Sequence, residues 1–77
     1  MNEMNGKLRK FRLQANLSQT DVANRLGISR QAYSRYENSN TVPSVNRLFE
    51  ISKIFGIDIL QLFIRDTPEL MEGENKI

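Results

Sequence analysis

The sequence contains no cysteine and no histidine among its 77 residues. These absences exclude disulfide bonds, thiol nucleophiles and the usual zinc or haem ligand sets. No paired carboxylates or nucleophile–base pair stands at a spacing suited to catalysis, so we expect neither an enzyme nor a cofactor-binding protein. No apolar run approaches the ~20 residues of a membrane-spanning helix, and no signal-peptide pattern precedes the first predicted helix. We therefore expect a cytoplasmic protein.

The charge of the chain is unevenly divided between its two halves. The net charge is +2, and hydrophobic residues make up 39% of the chain, as is typical of a folded domain. Residues 1–36 carry seven Lys and Arg against two Asp and Glu, whereas residues 37–77 carry four against seven. A polyanion would therefore be attracted to the first half and repelled by the second.

Residues 19–38 have the pattern of two short helices joined by a tight turn. Ser18 and Ser29 stand where each helix needs an N-cap, because their hydroxyls can accept hydrogen bonds from first-turn amides. Gly27 follows the first helix and can end it in a left-handed conformation. Val22, Ala23 and Leu26 share one face of that first helix, which we expect to be buried.

The second of these helices has one aromatic side and one polar side. Ala32, Tyr33 and Tyr36 lie together, and the opposite side carries polar residues without a carboxylate: Arg30, Gln31, Ser34, Arg35 and Asn38. Arginine can donate two hydrogen bonds to guanine, glutamine can pair with adenine, and serine can contact either base. The alternative interpretation is that this is an ordinary solvated helix face. The capped preceding helix, the glycine turn and the small Ala23 favour a helix face that contacts DNA bases.

These residues resemble the helix-turn-helix of the phage-repressor family, of the Cro and lambda-repressor type. The matching positions are Gln19, Val22, Ala23, Leu26, Gly27, Ile28, Tyr33 and Tyr36. The resemblance extends from Leu8 to about Phe63. The family usually has aliphatic residues at the two tyrosine positions, and a glycine often stands where this chain has Ser39.

The resemblance implies duplex DNA as the partner and a role for each group of polar residues. The predicted base-reading residues are Ser29, Arg30, Gln31, Ser34 and Arg35. The predicted contacts to the DNA backbone are Gln19, Lys10, Asn38 and Asn40, although the basic face that carries Lys10 could equally be only solvated. The resemblance also implies an ion pair between Arg12 and Glu37 that orients the second helix of the motif.

The predicted fold is all-α, a compact bundle of about five short helices that fills residues 1–66, followed by a partly disordered tail over residues 67–77. The first helix runs from about Asn5 to Ala15, with a core stripe of Met4, Leu8, Phe11 and Ala15. Ser44 caps a fourth helix that runs to Phe55, and Gly56 ends it; Asp58 caps a fifth that runs to about Ile64. The predicted buried residues of these two helices are Val45, Leu48, Phe49, Ile51, Ser52, Phe55, Ile59, Leu62 and Phe63.

Leu60 and Ile64 point away from the predicted core, and an exposed apolar pair indicates a contact surface. We predict that they form a homodimer interface, which Ile54 and Leu70 could extend; alternatively the tail folds back over them. The resulting hypothesis is a transcriptional regulator, a repressor in the simpler case, that binds a palindromic or pseudo-palindromic operator as a homodimer. The alternative is an antitoxin-type module that masks a toxin partner and binds DNA secondarily.

Overall fold

Four α-helices and one short 3-10 helix make up the fold in the computed structural model, which describes residues 3–64. The elements are α1 (Glu3–Gln14), α2 (Gln19–Leu26), α3 (Arg30–Asn38), α4 (Val45–Phe55) and the 3-10 helix Ile59–Leu62. Residues 3–64 contain no β-strand. The all-α prediction is confirmed, with a fifth element that is shorter and more tightly wound than predicted. The predicted tail over residues 67–77, including Leu70, lies outside the described residues.

The ends of α2 and α4 follow from local sequence. Ser18 forms a reciprocal capping box with Asp21, and Ser44 caps α4 through the amide of Arg47. Gly27 and Gly56 end the two helices in the left-handed conformation, at φ 73° and 72°. A side chain would be strained at these positions because of the backbone angle alone, since an added Cβ would meet open space.

The core forms where α3 packs against both α1 and α2, and where α4 packs against α2 and the 3-10 helix. Its buried apolar side chains are Leu8, Val22, Ala23, Tyr33, Leu48, Ile51, Phe55 and Leu62. The ring of Tyr36 packs edge-on against that of Tyr33, with centroids 6.0 Å apart. The two tyrosines therefore fill the space beneath α3 that aliphatic residues fill in the family pattern.

Three residues with a predicted buried position are exposed: Val45, Phe49 and Phe63. The buried side of α4 is confined to Leu48, Ile51, Ser52 and Phe55, and Val45 and Phe49 lie on its flank. Phe63 is exposed because a 3-10 helix has three residues per turn, which aligns Ile59 with Leu62 and turns Phe63 aside. Of the α1 stripe, Leu8 is fully buried, and Met4, Phe11 and Ala15 are half-buried.

Candidate nucleic-acid interface

The polar side of α3 is accessible. Arg30, Gln31 and Arg35 are exposed, and Ser34 is half-buried. We call these four residues the reading face. Among the residues that the structure describes, none forms a hydrogen bond or ion pair with the side chain of Arg30, Gln31 or Arg35. Two guanidinium groups and an amide are thus available for a ligand on one helical surface.

The adjacent side of α3 is fixed to the rest of the protein by Tyr33 and Glu37. Both are buried, and they lie four residues apart and so share one side of the helix. We call these two residues the anchoring face. Glu37 is the only carboxylate in α3, and its burial removes a negative charge from the surface that would meet phosphate.

Four donor atoms converge on the carboxylate of Glu37. Arg12 donates from Nε to Oε2 at 2.7 Å and from Nη2 to Oε1 at 3.1 Å, which is the two-pronged arrangement of a strong ion pair. Tyr33 donates its hydroxyl to Oε2 at 2.6 Å, and Gln19 donates Nε2 to Oε1 at 3.1 Å. The pair that the resemblance implied is therefore present, within a larger network that joins α1, α2 and α3.

The network changes the proton affinities of its members. Burial alone raises the pKa of Glu37, but the hydrogen bonds from Arg12, Tyr33 and Gln19 outweigh it and hold the pKa below its usual value. The hydrogen bond to Glu37 raises the pKa of Arg12. Burial, and then the hydrogen bond to Glu37, raises the pKa of Tyr33. Glu37 and Arg12 are therefore charged, and Tyr33 is neutral, at physiological pH.

The family resemblance indicated Arg12 and Glu37, but the part that Tyr33 plays was not predicted. The signal was present, because a tyrosine four residues before a glutamate on a helix places the hydroxyl within reach of the carboxylate. This hydroxyl also explains how a tyrosine is accommodated at a fully buried position, since its polar end has a partner.

The residues predicted to contact the DNA backbone differ in the contacts that their side chains make within the protein. Gln19 uses its amide nitrogen within the Glu37 network, so any phosphate contact by this side chain would come from a group already held by the protein. Asn38 donates Nδ2 to the Ser34 hydroxyl at 2.8 Å. Asn40 is exposed, and the ammonium of Lys10 lies 5.3 Å from the ring centroid of Phe11.

Ser29 serves first as the N-cap of α3, with its hydroxyl accepting from the amide of Ala32 at 3.0 Å. The hydroxyl hydrogen is still available to a base or a phosphate. Lys7, on α1, donates to the carbonyl oxygen of Ile64 at the other end of the described residues.

The two residues predicted for a dimer interface are exposed, Leu60 at 61% and Ile64 at 57%. Phe63, at 54%, adds a third large apolar side chain to this segment.

In residues 3–64, no helix is long and apolar enough to cross a membrane. The same residues contain no group of three or more carboxylates placed to hold a metal ion.

The chain is similar to known proteins over most of its length. Residues 8–62 match the family model described as helix-turn-helix. An uncharacterized HTH-type transcriptional regulator of Methanocaldococcus jannaschii is 39% identical over 66 residues, which cover 86% of this chain and all of that protein. The HTH-type transcriptional activator BcrR of Enterococcus faecalis is 36% identical over 97% of this chain and 33% of its own length. The cryptic phage CTXphi transcriptional repressor RstR of Vibrio cholerae is 30% identical over 73% of this chain and 50% of its own length.

Proposed function

The chain belongs to the helix-turn-helix family of DNA-binding transcriptional regulators, of the Cro and lambda-repressor type, and on that premise we propose that it is a cytoplasmic repressor. It binds a palindromic or pseudo-palindromic operator as a homodimer. The observation that carries this proposal is the contrast on α3, where both arginines are exposed and the single carboxylate is buried. A surface of that kind attracts duplex DNA and can donate hydrogen bonds to base edges in the major groove.

Each group of polar residues has a distinct task in the proposed complex. Arg30, Gln31 and Arg35 contact base edges, with Ser29 and Ser34 at the side of the same surface. Lys10, Gln19, Asn38 and Asn40 contact phosphates, which fixes the position of α3 without reading the sequence. Because Gln19 also bonds Glu37, its phosphate contact would be coupled to the network that holds α3.

We favour repression because a DNA-bound dimer needs no additional surface to exclude polymerase from a promoter. The relatives include both an activator and a repressor, and the chain spans one third to one half of those two proteins. Transcription from a promoter that carries the selected operator should fall when the protein is added to a purified system. A rise in transcription would support activation instead.

Selection of bound sites from random duplex DNA tests the proposal directly. We expect one enriched motif with two inverted half-sites about 34 Å apart, which is one turn of B-DNA. Enrichment of single half-sites would contradict the homodimer. Recovery of unrelated sequences would contradict sequence-specific binding.

The proposed dimer uses Leu60 and Ile64, since both are exposed, large and apolar. In a symmetric interface a charge introduced on one copy is repeated on the other, so Leu60→Glu should dissociate the dimer. Sedimentation should show a lower mass, and the operator should be bound far more weakly than before, with little change for a single half-site. Gln61→Glu places the same charge on the neighbouring exposed residue and serves as the control. A Leu60→Glu protein that remains dimeric would place the interface elsewhere.

A further inference from the structure

The end of α3 differs from the ends of α2 and α4. At Gly27 and Gly56, the left-handed backbone lets the following amides bond carbonyls of the last helical turn. The residue at the corresponding position of α3 is Ser39, and its backbone is extended, with φ −133° and ψ −176°. Its amide and its hydroxyl both donate to the carbonyl oxygen of Arg35. The next carbonyl oxygen, that of Tyr36, is bonded by a side chain from another helix.

That side chain is Asn5 of α1, which is 1% exposed. Its Nδ2 donates to the carbonyl oxygen of Tyr36 at 2.6 Å and to that of Ser39 at 2.8 Å. One amide nitrogen thus joins the last turn of α3 to the first residue beyond it. Only a side-chain amide or a cation offers two such donors on one nitrogen, and an aspartate of the same size offers none.

The position of these two bonds connects Asn5 to the proposed DNA interface. Asn38 lies between the two carbonyls that Asn5 holds, and Asn40 follows the second of them directly. Both are proposed to bind phosphates. The second tie between α1 and α3, from Arg12 to Glu37, lies seven residues further along α1 and does not reach residues 39–40. Asn5 therefore helps to fix the direction in which the chain leaves α3, together with the local bonds of Ser39 to Arg35 and Thr41.

We propose that Asn5 is a positioning residue for DNA binding: it substitutes for the missing left-handed cap of α3 and sets the path of residues 38–41 along the DNA backbone. This inference rests on the proposed function, because it assigns phosphate binding to that segment. Without Asn5, the carbonyl oxygens of Tyr36 and Ser39 lose their bonds to α1, and the segment can take other paths. Residues 38–41 should then bind phosphates poorly, while the reading face on α3 keeps its own geometry.

The test uses the full chain with Asn5→Ala and Asn5→Asp. Gln14→Ala is the matched control, because it removes an exposed amide from the same helix. Affinity for the selected operator is measured against salt concentration, at a temperature where circular dichroism shows every protein folded. We expect the affinity of Asn5→Ala for the operator to fall, while the slope of log K against log salt stays close to that of the wild type, because residues 38–41 (Asn, Ser, Asn and Thr) carry no cation. We expect the preferred bases to stay the same, and the Asn5→Asp protein to bind more weakly than Asn5→Ala since it adds a negative charge beside two carbonyl oxygens.

A second measurement separates this proposal from the proposed function. In the unbound protein, the backbone amide signals of residues 38–41 should shift and exchange faster with solvent in both Asn5 variants than in Gln14→Ala. An unchanged operator affinity in a folded Asn5→Ala protein would overturn the inference, even with shifted signals. If the wild-type protein binds no duplex DNA, the proposed function fails. The role in DNA binding then fails with it, and the amide signals test only whether Asn5 sets the path of residues 38–41: unchanged signals would overturn that too, and shifted signals would support it.

Discussion

The two sides of α3 differ in how their polar groups are satisfied. On the anchoring face, Tyr33 and Glu37 are buried and bonded to each other, and Glu37 also accepts from Arg12 and Gln19. On the reading face, the side chains of Arg30, Gln31 and Arg35 are exposed and unpaired among the described residues. A helix of nine residues thus carries a buried, hydrogen-bonded surface and an exposed polar surface side by side.

The difference separates two kinds of contribution to DNA binding. A buried ion pair gains little stability over a well-packed apolar alternative, but losing one partner leaves an uncompensated charge in the interior. The anchoring face should therefore control stability and the orientation of α3. The reading face should control affinity and base preference. Its side chains are exposed, so replacing them should change the free energy of unfolding little.

Glu37→Ala should have the largest effect. Arg12, Gln19 and Tyr33 would lose a common acceptor, and the buried guanidinium would lose its counter-charge. We expect a loss of about 3–5 kcal/mol in the free energy of unfolding, measured by urea denaturation. Glu50→Ala is the control, because its pair with Arg47 is exposed and should contribute under about 1 kcal/mol. Equal losses for the two variants would remove the distinction between anchoring and ordinary surface pairs.

Arg35→Ala should show the reverse pattern. Stability should change by no more than about 0.5 kcal/mol, since the side chain is exposed. Binding to the selected operator should weaken by about 1–3 kcal/mol, and binding to random DNA much less. Lys53→Ala, which removes an exposed charge from α4, controls for net charge. Equal weakening on both DNAs would mean that Arg35 contacts phosphate and not a base.

The anchoring face should also respond to acid. Because the pKa of Glu37 is lower in the folded state than its usual value of 4.5, the unfolded chain binds the proton first as the pH falls. The stability from Glu37 is present above about pH 4.5 and is lost below it. Glu37→Gln removes this titration, so its unfolding free energy should fall less steeply with acid than that of the wild type. Parallel curves from about pH 6 to about pH 3 would show that other carboxylates control acid unfolding.

Lys10→Ala should have the smallest effect. Lys10 lies on α1, outside both faces of α3, and the proposal gives it one phosphate contact. Specific and random DNA should be bound more weakly by the same factor, and the salt slope should fall by about 0.9. A larger loss on the operator than on random DNA would extend base reading to α1.

The parts of the fold that follow from short-range chemistry could be predicted from the sequence. Ser18, Ser29 and Ser44 mark the starts of α2, α3 and α4, and two glycines mark left-handed ends, because caps depend on neighbours within four residues. The exposed polar side of α3 follows in the same way from helical periodicity.

The parts that depend on distant residues could not be predicted. Local sequence predicts Asn5 only as the approximate start of a helix, yet it is buried because α3 ends beside it, more than thirty residues along the chain. Val45, Phe49 and Phe63 fit apolar patterns, and their exposure depends on which element covers each flank. Gln19 matched a family position, but its bond to Glu37 depends on how α2 and α3 cross.

Site selection with the wild-type protein and with Arg35→Ala, from the same random duplex pool, tests the assignment of the reading face most directly. We expect the wild type to enrich one motif. We expect Arg35→Ala to enrich the same motif with the preference relaxed at one base pair in each half-site, by a factor of about 5 to 150, equivalent to about 1–3 kcal/mol. An identical motif from both proteins, with the same result for Arg30→Ala and Gln31→Ala, would contradict base reading by the exposed side of α3.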